Sequence, residues 1–161
     1  MIKKQNKGFT LIELLVVIGI LAILLSITLI AINPARQFGN ANDTKRRSAV
    51  TQILNALGAY QAENGGVLPA VVLSLTPAVA KDISNVGTPL LCDLLVPDYI
   101  PAFPRDPAQT GGDIEKADCA PPTPGGIEPA WATGYTITKD INNRLTISAT
   151  GENTPVISVS R

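Results

Sequence analysis

The chain has 161 residues and a mass of 16.9 kDa, room for one modest domain whose core is thin if part of the chain lies elsewhere. Thirteen Lys and Arg offset thirteen Asp and Glu, which argues against a basic domain built to grip nucleic acid phosphates, and no specific nucleic acid site is evident. The absence of histidine excludes Ser-His and Cys-His nucleophile pairs, and two cysteines alone hold neither a four-cysteine zinc site nor an iron-sulfur cluster, so no catalytic residue, metal or cofactor is expected.

Charged residues are only 16% of the chain and mean hydropathy is +0.23, so apolar side chains must be concentrated somewhere. They lie between Phe9 and Ile32, twenty-four residues with Glu13 as the one charge. As a helix this run is about 36 Å long, enough to cross a hydrocarbon core of about 30 Å. It is apolar on every face, which suits lipid or a bundle of like helices. Lys3, Lys4 and Lys7 precede it. A cleaved secretory signal has a shorter apolar region and a small-residue cleavage site after it, and neither feature is present. An uncleaved signal anchor stays open on hydropathy alone. The leader lysines give only weak support for a cytoplasmic N-terminus, because Arg36, Lys45, Arg46 and Arg47 lie beyond the other end of the run.

The junction itself is more specific. KGFTLIELLVVIGILAIL, with Gly before Phe and then Thr, Leu, Ile and Glu in one register, closely resembles the leader and N-terminal helix of type IV prepilins and type II secretion pseudopilins. The resemblance implies that a prepilin peptidase cuts between Gly8 and Phe9 and methylates the new Phe9 amine, leaving the apolar helix in the mature protein. It also implies a cytoplasmic assembly ATPase and an inner-membrane platform protein as partners. A carboxylate inside an apolar span is costly unless paired. Glu13 lies four residues after Phe9, within reach of a freed amine on the same helix face, and a helix N-terminus favours its charge. In the resembled families the Glu at this position pairs with the N-terminal amine of a neighbouring subunit during filament growth. Loss of the leader also leaves ten basic side chains against thirteen acidic ones.

Beyond Pro34, which disfavours the helical turn before it, Val50, Ile53, Leu54, Leu57 and Tyr60 recur at helical spacing beside Ala49 and Ala56. This predicts an amphipathic helix ended by Gly65 and Gly66. Arg36, Lys45, Arg46 and Arg47 are expected on a solvated face, or facing lipid headgroups before extraction and acidic neighbours after it. From Val67 to Pro129 the chain is rich in Pro, Gly and Ala. The run Leu95–Pro107 is too dense in proline for a central strand or a helix, and it is expected to be an extended loop pinned by Tyr99, Ile100 and Phe103 between helix and sheet. It resembles the Pro-Asp-Pro connection of many pseudopilin-like proteins, here as Pro-Arg-Asp-Pro. A head outside the cytoplasm permits a disulfide between Cys92 and Cys119, with two buried thiols as the alternative. Residues 81–128 are acidic, and Asp113, Glu115 and Asp118 could hold calcium, but their spacing fits no EF-hand and a solvated acidic loop is the expectation. Asn42-Asp43-Thr44 is a formal glycosylation sequon of the kind that arises often by chance.

The end of the chain alternates. Tyr135, Ile137 and Lys139, then Leu145, Ile147 and Ala149, flank the turn-forming INNR, and VISVS follows Pro155. Two hairpin strands and a third near the terminus are expected to form a small antiparallel sheet over the helical stripe. The expected fold is therefore α+β and pilin-like: a leader at 1–8, an apolar membrane and filament-core helix at 9–33, its amphipathic continuation at 34–66, and a globular head at 67–161. The expected function is structural: a subunit inserted in the cytoplasmic membrane by one span, then polymerised with its own kind into an extracellular or periplasmic filament. The alternatives are a pseudopilin of a secretion or competence system and, in a different class, a singly anchored extracytoplasmic binding domain.

Overall fold

The computed structural model describes residues 8–85, 88–119 and 131–161. The leader lysines Lys3, Lys4 and Lys7, and the end of the Pro-rich stretch with Glu128 and Pro129, lie outside them. The chain divides into two compact units, Met1–Phe38 and Gly39–Arg161.

In the first unit, α1 (Leu11–Ile32) is long and apolar enough to cross a membrane, and none of its residues is buried. Its hydroxyls are satisfied internally. Ser26 Oγ donates to the Ala22 carbonyl at 2.8 Å and Thr28 Oγ1 to that of Leu25 at 2.9 Å, so neither presents an unpaired group to an apolar surrounding. The helix stops at Asn33, which takes a left-handed conformation with φ 45°. Pro34 then opens α2 (Pro34–Glu63), in the first turn where a missing N–H costs nothing. The Asn33 carbonyl accepts from Arg36 N and Gln37 N. The interruption thus sits at Asn33, with Pro34 starting the following helix.

In the second unit, Ala49, Val50, Ile53, Leu54, Ala56 and Leu57 of α2 are buried in one apolar core together with residues of the sheet. Past Glu63 the helix is ended by Gly65 and Gly66, both at positive φ. Short helices α3 (Ala70–Leu73) and α4 (Pro89–Leu95) follow, with β1 (Lys81–Ser84) between them. Strands β2 (Ala132–Lys139), β3 (Leu145–Thr150) and β4 (Val156–Ser160) complete an antiparallel sheet in the order β1-β2-β3-β4. The three expected strands are therefore joined by a fourth, with Lys81 opposite Ile137 and Asp82 opposite Thr136. The β2–β3 turn is held by Asp140, whose Oδ1 accepts from Asn142 N and Arg144 N, with Asn143 at φ 61°. Together, the long apolar N-terminal helix and the four-stranded antiparallel sheet make an α+β protein consistent with a pilin-like fold.

Ile100 and Phe103 are buried and Phe103 bridges to Ile114, while Tyr99 packs edge-on to Tyr60 with ring centroids 5.6 Å apart and donates to Glu63. The run Leu95–Pro107 holds no helix or strand beyond Leu95, the last residue of α4, and the isolated bridge at Phe103. Cys92 on α4 and Cys119, at the end of a 3₁₀ turn (Lys116–Cys119), are disulfide-bonded and fully buried. The bond spans 27 residues of sequence, so replacing both cysteines with serine should lower unfolding stability by about 3–4 kcal/mol on the chain-entropy account. Urea titration followed by fluorescence of the one tryptophan, Trp131, measures it; a loss below about 1 kcal/mol contradicts the loop-closure role.

Candidate functional site

Two constellations stand out, one in each unit. The first is the start of α1. Thr10 is its N-cap, in extended conformation, and Glu13 stands three residues on. Glu13 N donates to Thr10 Oγ1 at 3.3 Å, while Thr10 N and Thr10 Oγ1 both donate to Glu13 Oε2, at 2.9 and 2.7 Å. This reciprocal capping box satisfies two amides that the first helical turn otherwise leaves unpaired. Both side-chain bonds fall on one carboxylate oxygen. Oε1 receives no hydrogen bond from the described residues, so it remains open to a further donor.

Phe9 is 86% exposed, and Gly8 precedes it in open space. A Cβ built on Gly8 meets nothing within 4 Å, and its φ is not in the left-handed region, so no contact among the described residues requires glycine there. Sequence reasoning singled out Gly8, Phe9 and Glu13 but missed Thr10. The signal was present: Thr-x-x-Glu before an apolar run is a capping-box pattern.

The second constellation is a buried charge cluster in the head. Arg46, 3% exposed, forks onto Asp106, with Nε donating to Oδ2 at 2.7 Å and Nη2 to Oδ1 at 2.9 Å. Its Nη1 donates to Asp43 Oδ1 at 3.0 Å, and Nη1 and Nη2 lie 3.4 Å from Glu152 Oε1. Asp43 in turn accepts from three successive backbone amides of the β3–β4 connection: Glu152 N at 2.8 Å, Asn153 N at 3.0 Å and Thr154 N at 2.9 Å. Asp106 is fixed to β2 by its own N–H, which donates to the Thr133 carbonyl at 2.7 Å. One guanidinium thereby joins α2, the Pro-rich loop and the end of the sheet. Arg46 is not the solvated or headgroup-facing cation expected from sequence, because its partners come from 60 and 106 residues away.

Two glycines permit the approach. Gly134 has φ +82° and a Cβ there would lie 2.7 Å from Asp106 Cβ, while a Cβ on Gly151 would lie 2.1 Å from the Thr154 carbonyl oxygen and 3.0 Å from Asp43 Oδ1. Of the sequon, Asn42 donates Nδ2–H to Glu152 Oε1 at 2.8 Å.

The titration behaviour follows from this geometry. The Glu152 N–H, working against burial and joined by the Asn153 and Thr154 amides and Arg46, holds Asp43 well below the usual carboxylate range. Burial pushes Asp106 up, but the bonds from Arg46 and from Ala108 N outweigh it and leave that carboxyl lowered. Asp106 hydrogen bonding also holds the Arg46 guanidinium above its ordinary value. A carboxyl lowered in the folded state contributes stability that is fully present above its unfolded value of about 3.9 and lost as pH falls through the lower folded value. The head is therefore expected to keep a level melting temperature from about pH 7 to 5 and lose it steeply below about pH 4. Asp43→Asn should flatten that acid limb; an identical limb in the variant contradicts the assignment. The acidic run 113–118 gathers no metal-type ligand group among the described residues, and Asp113 instead accepts from Arg105 N at 3.1 Å.

The first constellation is also where the chain is similar to known proteins. The family described as the prokaryotic N-terminal methylation motif matches residues 3–29, the leader signature of type IV pilins and pseudopilins. Neither the curated proteins nor the solved structures include a match to the chain. The motif supports a type IV pilin-like or pseudopilin protein, structural in kind, that is processed by prepilin peptidase and handled by pilus assembly machinery. With the apolar helix it fits a membrane-anchored precursor that later enters a filament.

Proposed function

We propose that this chain is the structural, non-enzymatic subunit of a type IV pilus-like filament, cut between Gly8 and Phe9, methylated at Phe9 and polymerised through the helix that begins there. The observation that carries the reading is a fully exposed apolar helix whose start holds a capped carboxylate with one oxygen to spare. Removing residues 1–8 takes no partner from the capping box, since Thr10 and Glu13 supply all of it. It creates a cationic amine at Phe9, and Glu13 Oε1 of a neighbouring copy is a suitable acceptor. Gly8 supports the same reading, because a small residue that no contact among the described residues requires is accounted for by the peptidase that must bind it. Helices like α1 gain little from one another while surrounded by lipid, so extraction into a filament needs an energy source and a platform in the membrane. The proposed partners are therefore further copies of the chain, the assembly ATPase and the platform protein, and the final location is a filament outside the cytoplasm.

Intact mass of the protein from peptidase-competent cells tests the proposal. The expected species lacks Met1–Gly8 and carries one added methyl group on Phe9. A chain that keeps Met1 in such cells is an uncleaved anchor, and the filament reading fails.

A further inference from the structure

The two outer strands of the sheet differ in what they present. β1 is short, carries Lys81 and Asp82, and breaks register between Asp82 and Ser84, all of which discourage another strand from pairing with it. β4 has none of these protections. Its residues, Val-Ile-Ser-Val-Ser, include no charge and no proline, and its pairing with β3 runs unbroken from Val156 to Ser160. Leu145 and Arg161 exchange both backbone bonds, each at 2.9 Å, so by alternation Val159 and Ile157 also bond to β3. The N–H and C=O groups of Val156, Ser158 and Ser160 therefore point away from the sheet, and no hydrogen bond reaches them among the described residues. All three residues are exposed.

We propose that a second copy of this chain docks on this edge, laying its own β4 antiparallel to the first with Ser158 facing Ser158 across a two-fold axis. The strand is complementary to itself there. This is the one antiparallel register in which every outward-facing residue of both copies exchanges backbone bonds: Val156 with Ser160, Ser158 with its mate, and Ser160 with Val156. Ile157 then falls opposite Val159 of the other copy on the core-facing side, in the closely spaced pairs that favour β-branched contacts. Ile157 is buried but Val159 only partly, so the joint covers apolar surface that one head leaves open. The two Ser158 hydroxyls meet on the outer face, and Arg161 lies opposite Pro155, so no like charges meet. The product is one continuous sheet with four strands from each copy. One added strand buries less than the roughly 1,200 Å² of a standard interface, so the contact is weak between free molecules and effective where copies are already held close. Copies along one polar filament share a direction and are not related by a two-fold axis, so the contact joins heads of separate filaments. That consequence rests on the filament reading, whereas the strand pairing does not.

Single-cysteine variants of the full-length protein in detergent micelles read the register, since Cys92 and Cys119 are bonded to each other and buried. In Ser158→Cys the two Cα atoms are about 5.5 Å apart in the joined sheet, within disulfide range, and mild oxidation should give a covalent dimer on a non-reducing gel. Val156→Cys and Ser160→Cys each place their own pair about 13 Å apart, out of range, and should give little dimer alone. An equal mixture of those two should cross-link several-fold more than either. Adding Ser158→Lys to both members of the mixture sets like charges against each other at the axis and should lower that yield several-fold. Equal cross-linking at all three positions reports crowding or association through α1 and overturns the proposal. So does a Ser158→Cys protein that stays uncross-linked, or a mixed yield indifferent to Ser158→Lys. Leader loss without this register-specific dimer leaves the filament reading standing and removes the contact, while the dimer without leader loss does the reverse.

Discussion

Glu13→Gln is expected to leave α1 inserted in the membrane yet reduce sheared filament on the order of tenfold or more. The substitution is informative because the capping box tolerates it. Glutamine at the third helical position still accepts from Thr10 N, so the helix start survives and the change isolates the negative charge. What is lost is the attraction between Oε1 and a cationic Phe9 amine arriving on another copy, in surroundings too apolar for water to substitute. Glu13→Ala removes cap and charge together. Filament yield from Glu13→Gln equal to that of the unaltered chain sinks the amine-pairing role. If only Glu13→Ala then fails, Glu13 is a helix cap and nothing more. Membrane fractionation of both variants separates failed insertion from failed assembly.

Arg46→Ala is expected to be the most damaging single change in the head, costing about 3–5 kcal/mol. The cost arises from what stays behind. Asp106 and Asp43 remain buried without the guanidinium, and the link between α2 and the Pro-rich loop is lost with it. Urea unfolding read by Trp131 fluorescence measures the effect, with Asp106→Ala and the double variant completing a cycle. Because the pair is in direct contact, the double variant should be clearly less damaged than the sum of the single ones. Additive losses, or an Arg46→Ala loss below about 1 kcal/mol, would falsify the picture of one buried fork tying the head together.

The parts of this molecule that were legible in the sequence are those set by local pattern. The apolar run of α1 shows in composition alone. The stripe Val50, Ile53, Leu54 and Leu57 shows because helical spacing places it on one face, β2 and β3 show because Tyr135, Ile137, Leu145, Ile147 and Ala149 alternate, and β4 shows as the VISVS run after Pro155. Strand β1 did not show, since Lys-Asp-Ile-Ser has one apolar side chain and owes its conformation to pairing with β2. Helix α4 was masked by its proline-rich neighbourhood, although a proline at a helix start is favourable. The burial of Arg46 was illegible for a deeper reason: a charge looks solvated until the fold delivers Asp106 and Glu152 to it. Its near partner was within reach, because Asp43 and Arg46 are three apart on one helix.

The covalent tie between Cys92 and Cys119 encloses the segment that carries Asp106. In a reducing compartment cytosolic thiol systems keep such a pair open, and that segment is then held to α2 and β2 by hydrogen bonds and packing alone. The completed head is thus a property of place as well as of sequence. A head kept in reducing surroundings is expected to be the looser one, and oxidation closes the ring around that segment.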